Sequence, residues 1–197
     1  MSATNQNILW IDCEMTGLNA YLPPADLPKT ETFRPDRILE IAAIVTNKEL
    51  EPLDEGVEYI VKTDQEVLDN MNEWCINQHG KTGLTASCLS STTDMATVDD
   101  LVSSYVAKHF AKGEPALLAG NSVHADRAFI NKDLPKLASL LHYRILDVSS
   151  IKELTARWYP ELQRPRKEDS AHRALSDIQH SISELRHYRE NVFKTSQ

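Results

Sequence analysis

Four apolar residues, Ile8, Leu9, Trp10 and Ile11, run into Asp12 and Glu14 and end at the small-residue break Thr16–Gly17. An apolar run bounded in this way reads as a buried strand. Arg37 to Thr46 is a second, longer apolar segment and Val57 to Val61 a third, with Pro52, Asp54 and Gly56 turning the chain between them. Three strands in succession predict an antiparallel meander. The spacing then becomes helical. Val67, Leu68, Met71, Trp74, Cys75 and Gln78 fit one helix, and Val98, Leu101, Val102, Tyr105 and Phe110 a second, with Thr97 as its cap. Ala116–Ala119 reads as a short strand ending at Gly120, followed by a helix to about Asn131. Leu137–Leu141 reads as helical and Arg144–Val148 as a last strand. Ser149 and Ser170 then stand as caps of two further helices, the second with its apolar face at Leu175, Ile178, Ile182 and Leu185. Strands first and then alternating helix and strand predict one α/β domain over residues 1–197, a mixed five-stranded sheet flanked by helices. Residues 19–36 interrupt this pattern. They carry Pro23, Pro24, Pro28 and Pro35 with few apolar residues and read as a Pro-rich loop insertion.

Composition narrows the class. Apolar content of 41% and charged content of 25% suit a globular protein. No apolar run approaches the roughly 20 residues of a membrane span, so no membrane association is expected. The N-terminus has neither a basic signal-type region nor an Arg-rich amphipathic one, which makes the cytoplasm the default compartment. A mitochondrial pool would arise from a longer precursor. Cys13, Cys75 and Cys88 are too few and too irregular for a disulfide framework or a zinc site. The formal charge of -8 opposes a protein that holds long nucleic acid through many phosphate contacts. It leaves room for an enzyme whose substrate is a few nucleotides long.

The chemistry begins with Asp12 and Glu14. Residues two apart on a strand project to the same face, so two carboxylates stand side by side. Such a pair on a buried strand is costly unless a cation neutralises it. Asp126 follows the strand ending at Gly120 and opens a helix, a place where ligands gather in open α/β sheets. Near the C-terminus His172 and Asp177 lie five positions apart, about 140° and 7.5 Å on a helix. Asp177 can therefore enter a metal site while His172 reaches solvent beside it. Four carboxylates, Asp12, Glu14, Asp126 and Asp177, suit hard cations such as Mg²⁺ or Mn²⁺. Two such ions can stabilise the attacking and leaving oxygens of a phosphoryl displacement, with His172 accepting the proton of the attacking water. The expected reaction is phosphodiester hydrolysis.

These residues carry a resemblance. Asp12-x-Glu14, Asp126, and His172 with Asp177 are similar to the motifs of the DEDDh exonuclease superfamily. Trp10-Ile-Asp-x-Glu-Met-Thr-Gly-Leu18, Gly120-Asn-Ser-x-x-x-Asp-Arg127 and His142-Tyr-Arg-x-Leu-Asp-Val-Ser149 resemble the oligoribonuclease family within it. The resemblance covers nearly the whole chain. It implies an RNase H-like fold and a homodimer that trims short RNA, of two to about five nucleotides, from the 3′ end to nucleoside 5′-monophosphates with two divalent ions. It implies that Leu18 wedges against the bases, that Trp74 and His79 stack on and border the 3′ nucleotide, and that Ser122 holds phosphate. Tyr143 and Arg144 would come from the partner subunit and close the site at the 5′ end. The insertion at 19–36 departs from the family's short link between the first two strands. Two rival readings are a 3′ exonuclease for DNA or long RNA, which would need a basic groove, and a silent sensor of short RNA, which would have lost a ligand.

Overall fold

The computed structural model describes residues 6–21, 35–163 and 173–194. Most of the Pro-rich insertion, the basic trio Arg164, Arg166 and Lys167, the expected cap Ser170 and the expected base His172 lie outside the described residues. Among the described residues there are five strands, β1 (Ile8–Met15), β2 (Ile38–Thr46), β3 (Val57–Ile60), β4 (Ala116–Gly120) and β5 (Leu141–Asp147). The helices are α1 (Gln65–Asp69), α2 (Glu73–Thr82), α3 (Leu84–Ser90), α4 (Met95–His109), α5 (His124–Asp133), α6 (Pro135–Leu140), α7 (Val148–Trp158) and α8 (Ala174–Asn191). None of them is long and apolar enough to cross a membrane.

The strands form the expected mixed sheet in the order β3-β2-β1-β4-β5. β1, β2 and β3 pair antiparallel as a meander, while β4 is parallel to β1 and β5 parallel to β4. All nine residues of β2 are buried, because helices cover both faces of the sheet there and an apolar run is the only one such a strand tolerates. Alternation along β1 sorts the core. Leu9, Ile11 and Cys13 pack with Val98, Val102, Phe129, Ile130 and Leu137 of α4, α5 and α6. Trp10 packs with Ala42, Ile44 and Ala119 against Ile178, Ile182, Leu185 and Tyr188 of α8. A third cluster, Leu39, Leu68, Met71, Cys75, Leu84 and Cys88, lies beneath α1, α2 and α3. By the same alternation Asp12 and Glu14 continue the face of Trp10, towards α8, whereas Cys13 belongs to the opposite face.

Several element boundaries differ from the pattern. The single helix expected over 67–78 is broken at Asn70–Asn72. Asn72 takes the N-cap of α2 and its side chain accepts from the Cys75 N–H, which restarts the helix and turns Trp74 outward. The cap of α4 is Asp94, which accepts from the N–H of Thr97, so Thr97 is already helical. Asp147, not Ser149, caps α7. β5 starts at Leu141, three residues before the expected Arg144, because α6 ends at Leu140 and pairing with β4 overrides local helical spacing. α8 starts at Ala174 with Arg173 in the N-cap position and no side-chain cap bond.

α6 is only six residues long and draws its cap from another helix. The buried Asp99 of α4 accepts from the N–H groups of Lys136 and Leu137, both at 2.9 Å. Asp99→Ala leaves these donors without an acceptor and is expected to cost about 2 kcal/mol. Urea unfolding measures this, and a wild-type midpoint with an unchanged slope would refute the cap's contribution.

Candidate active site

The carboxyl ends of β1 and β4 open a crevice, since the chain leaves β1 towards β2 on one side and β4 towards β5 on the other. The β1–β4 ladder runs only as far as Trp10 opposite Ala119. Gly120 allows the close approach at its end, because a Cβ there would stand 2.9 Å from the Ile11 carbonyl oxygen. Beyond it, among the described residues, the edge of β1 has no strand partner on that side. Asp126, in the first turn of α5, fills the gap: its Oδ1 accepts from the Cys13 N–H at 2.9 Å.

Three of the four expected metal-binding carboxylates come together. Oxygens of Asp12, Glu14 and Asp177 lie within 4.8 Å of one another. Hard divalent cations hold their oxygen ligands at about 2.0–2.6 Å, so two ligands of one ion stand at most about 5 Å apart. The spread and the all-oxygen chemistry of the donors fit a hard divalent cation. The arrangement follows from the fold, with period-two alternation pointing Asp12 and Glu14 at α8 and Asp177 standing in the first turn of that helix. Asp126 is not part of this group of three. It approaches from α5, on the opposite face, and meets the β1 backbone between the two acids. Only 6% exposed, its carboxyl is pushed up to about 7 by burial, against the pull of the Cys13 N–H. Burial, with Asp126, Asp12 and Glu14 nearby, also raises the Cys13 thiol well above its ordinary range, so it stays protonated.

Beside the acids lies a mostly apolar pocket of about 420 Å³, bordered by Glu14, Met15, Leu18, Trp74, Cys75 and His79. Leu18 is 78% exposed and Trp74 65% exposed, an unusual position for two large apolar side chains unless something covers them. His79 differs from an open stacking residue. It is 1% exposed, with Nε2 2.9 Å from the Met15 carbonyl oxygen, so Nε2–H donates there and the ring borders the pocket from within. Nδ1 has no hydrogen-bond partner among the described residues and stands 3.9 Å from Glu14 Oε2. Burial holds the imidazole below its usual pKa, the Met15 carbonyl opposing, so the ring is neutral.

A clasp absent from the sequence reading sets Leu18. Asp36 accepts from Thr16 Oγ1 at 2.8 Å and from the Asn19 N–H at 2.9 Å, while Thr16 N–H donates to the Arg37 carbonyl. The two ends of the insertion are thus tied together at its base. A Cβ at Gly17 would stand 2.5 Å from Asp36 Oδ2, so only glycine leaves room for the clasp.

Ser122 is exposed and has φ of 51°, a left-handed conformation for a residue with a side chain. Its N–H donates to Asp147 Oδ1 and Ser149 Oγ, both at 2.9 Å, and its hydroxyl lies 3.1 Å from that of Ser149. The neighbouring Asn121 bonds Ser149, Ser181 and Glu184 and so ties this turn to α7 and α8. Tyr143 and Arg144 stand on β5, an edge strand, and do not border the pocket of Leu18 and Trp74. Tyr143 is 76% exposed, with the His142 ring stacked 4.4 Å away and the Arg144 guanidinium 4.8 Å over its ring.

Known proteins agree with this geometry. Residues 9–185 match the family model for exonucleases. The chain is 44% identical over 189 residues to a probable oligoribonuclease of Schizosaccharomyces pombe, covering 96% of this chain and 69% of that one. It is 43% identical over 190 residues to the mitochondrial oligoribonuclease of Mus musculus, covering 96% and 74%. Among solved structures it is similar to the zinc-bound E. coli exonuclease I complex with single-stranded DNA, at a TM-score of 0.71 and 15% identity. That likeness covers 95% of this chain and 41% of exonuclease I, and it shows the fold alone, which is RNase H-like. With the motifs, the acidic crevice and these relatives in agreement, the chain belongs to the oligoribonuclease family of exonucleases.

Proposed function

We propose that the protein is a 3′-5′ exoribonuclease that degrades short oligoribonucleotides, dinucleotides above all, to nucleoside 5′-monophosphates. The observation that carries this reading is the convergence of Asp12, Glu14 and Asp177 beside a pocket edged by exposed Leu18 and Trp74. Asp12, Glu14, Asp126 and Asp177 would hold two divalent ions, Mg²⁺ or Mn²⁺. Bound there, the ions supply Lewis-acid activation of the scissile phosphate and neutralise charge on the attacking and leaving oxygens. His172 accepts the proton of the attacking water. Trp74 stacks on the 3′ base, Leu18 wedges against it, and the neutral His79 borders the same nucleotide. Ser122 offers its hydroxyl to phosphate.

Tyr143 and Arg144 serve the partner's site in a homodimer. Their place on an exposed edge strand, away from this chain's own pocket, supports that assignment. Closure at the 5′ end then limits the substrate to two to about five nucleotides, in keeping with a net charge of -8. The whole chain acts as one exonuclease domain, a reading supported by the extent of the family match. Relatives named as mitochondrial in mouse and cattle support a mitochondrial pool beside a cytoplasmic one.

The deciding experiment compares turnover of a 5′-labelled RNA dinucleotide and a labelled 20-mer in Mg²⁺, Mn²⁺ and EDTA. The dinucleotide should be cleaved faster, and EDTA should abolish cleavage of both. Preference for the 20-mer would overturn the closed pocket, and cleavage in EDTA would overturn the metal assignment.

A further inference from the structure

β2 places one acid, Glu40, in a strand that is otherwise apolar apart from its terminal Thr46, with every residue buried. A buried carboxylate needs a cation and well-formed hydrogen bonds. Glu40 receives both from a residue 133 positions away. Arg173 Nε lies 3.0 and 3.2 Å from its two oxygens and Nη2 2.8 Å from Oε1, a forked contact that lysine cannot make. The same Nη2 donates to Glu58 Oε2 on β3 at 3.3 Å. Burial pushes the Glu40 carboxyl up to about 7 while the Arg173 bonds pull it back, and the contact with Glu40 holds the guanidinium protonated.

Two further facts give this pair a place in the site. Glu40 stands directly opposite Glu14 in the β1–β2 ladder, so the two acids share one face of the sheet. Like charges directly across a ladder repel. With its guanidinium on Glu40 and its charge near Glu14 as well, Arg173 offsets that repulsion. Arg173 is also the N-cap residue of α8, and its carbonyl accepts from the Asp177 N–H at 3.1 Å. The side chain therefore anchors to β2 the helical turn that carries Asp177, and His172 is its immediate neighbour in sequence.

We infer that Arg173 is a positioning residue for hydrolysis. Its forked pairing with Glu40 sets the first turn of α8, and with it Asp177, against Asp12 and Glu14. The inference rests on the exonuclease reading of the site and is separable from it.

The test uses the full chain and a paired substitution, Glu40→Leu with Arg173→Met, which removes the clamp and leaves neither charge buried alone. Apolar replacement of both partners of a buried ion pair commonly preserves stability. The double variant should therefore melt within a few degrees of wild type in EDTA. Its Mn²⁺ affinity, read by electron paramagnetic resonance without substrate, should fall by about ten- to a hundredfold. Turnover of the dinucleotide should fall by a similar factor at saturating metal, with KM little changed. Arg173→Lys, which keeps the charge and loses the fork, should fall between the two. Wild-type Mn²⁺ affinity and turnover in the folded double variant would overturn the inference and make the pair a structural tie. Should the double variant fail to fold, Arg173→Lys decides, since unchanged Mn²⁺ affinity there overturns the inference too. A wild-type protein that binds Mn²⁺ yet cleaves no RNA would overturn the functional reading, while the Mn²⁺ comparison still decides the clamp.

Discussion

Asp12→Asn is expected to lower dinucleotide turnover by about a thousandfold or more. Metal-assisted stabilisation of the transition state supplies several kcal/mol, and each 1.36 kcal/mol lost is about tenfold in rate. Loss of about 4 kcal/mol therefore removes about three decades. The fold should not suffer. Oxygens of Asp12, Glu14 and Asp177 lie within 4.8 Å of one another, and withdrawing one of the three charges relieves repulsion in metal-free protein. The variant should accordingly melt at or above the wild-type temperature in EDTA. Wild-type protein should gain stability on adding Mn²⁺, by about 2.7 kcal/mol at a hundredfold excess over Kd, and the variant should gain much less. Turnover near wild type, measured on protein cleared of contaminating nuclease, would remove Asp12 from the metal site.

Trp74→Ala is expected to act on binding instead of chemistry. Stacking of one base on an aromatic ring is worth about 1–3 kcal/mol, so KM for the dinucleotide should rise by about five- to 150-fold. The ring is 65% exposed and its removal opens no cavity, so the melting temperature should stay within a degree or two of wild type. A near-constant kcat is expected, because Trp74 stands beside the acids but does not join them. Trp74→Phe should recover part of the loss by restoring a flat apolar face. An unchanged KM would mean that the pocket beside Glu14 does not receive the base.

Much of the acidic centre was readable from residues close together in the chain. The face shared by Asp12 and Glu14 follows from the two-residue period of a strand, which holds wherever the strand is placed. The helix starts near Asp126 and Asp177 follow from a glycine-ended strand and from apolar spacing. The mixed sheet was likewise legible, because three strands precede the alternating part of the chain. Where the pattern misled, a local cap or a tertiary partner had overridden the helical spacing. Residues 67–78 carry one helical period, yet Asn72 caps a new helix and leaves Trp74 facing the pocket. Leu141 reads as the end of a helix and is the start of a strand, because β4 offers a ladder that local propensity cannot match.

Other parts of the site had no legible sequence signal, or only half of one. Glu40 interrupts an apolar strand, which marks it as needing a cation, but nothing in the sequence names Arg173 as its source. Asp36 gives no sign that it will clasp Thr16 and Asn19, and the Cys13 N–H gives none that it will receive Asp126. The chain by itself determined the types of the candidate groups, the shared face of two of them, and the order of strands and helices around them. These depend on periodicity and capping, which act over a few residues. Only the tertiary structure decided that Asp126 enters from the opposite face, that His79 is buried beneath the pocket while Trp74 is exposed, and that α8 is tied to β2 through Arg173 and Glu40. Each of those is a contact between residues from 64 to 133 positions apart. Such contacts are selected by how whole layers pack, and no local pattern encodes them.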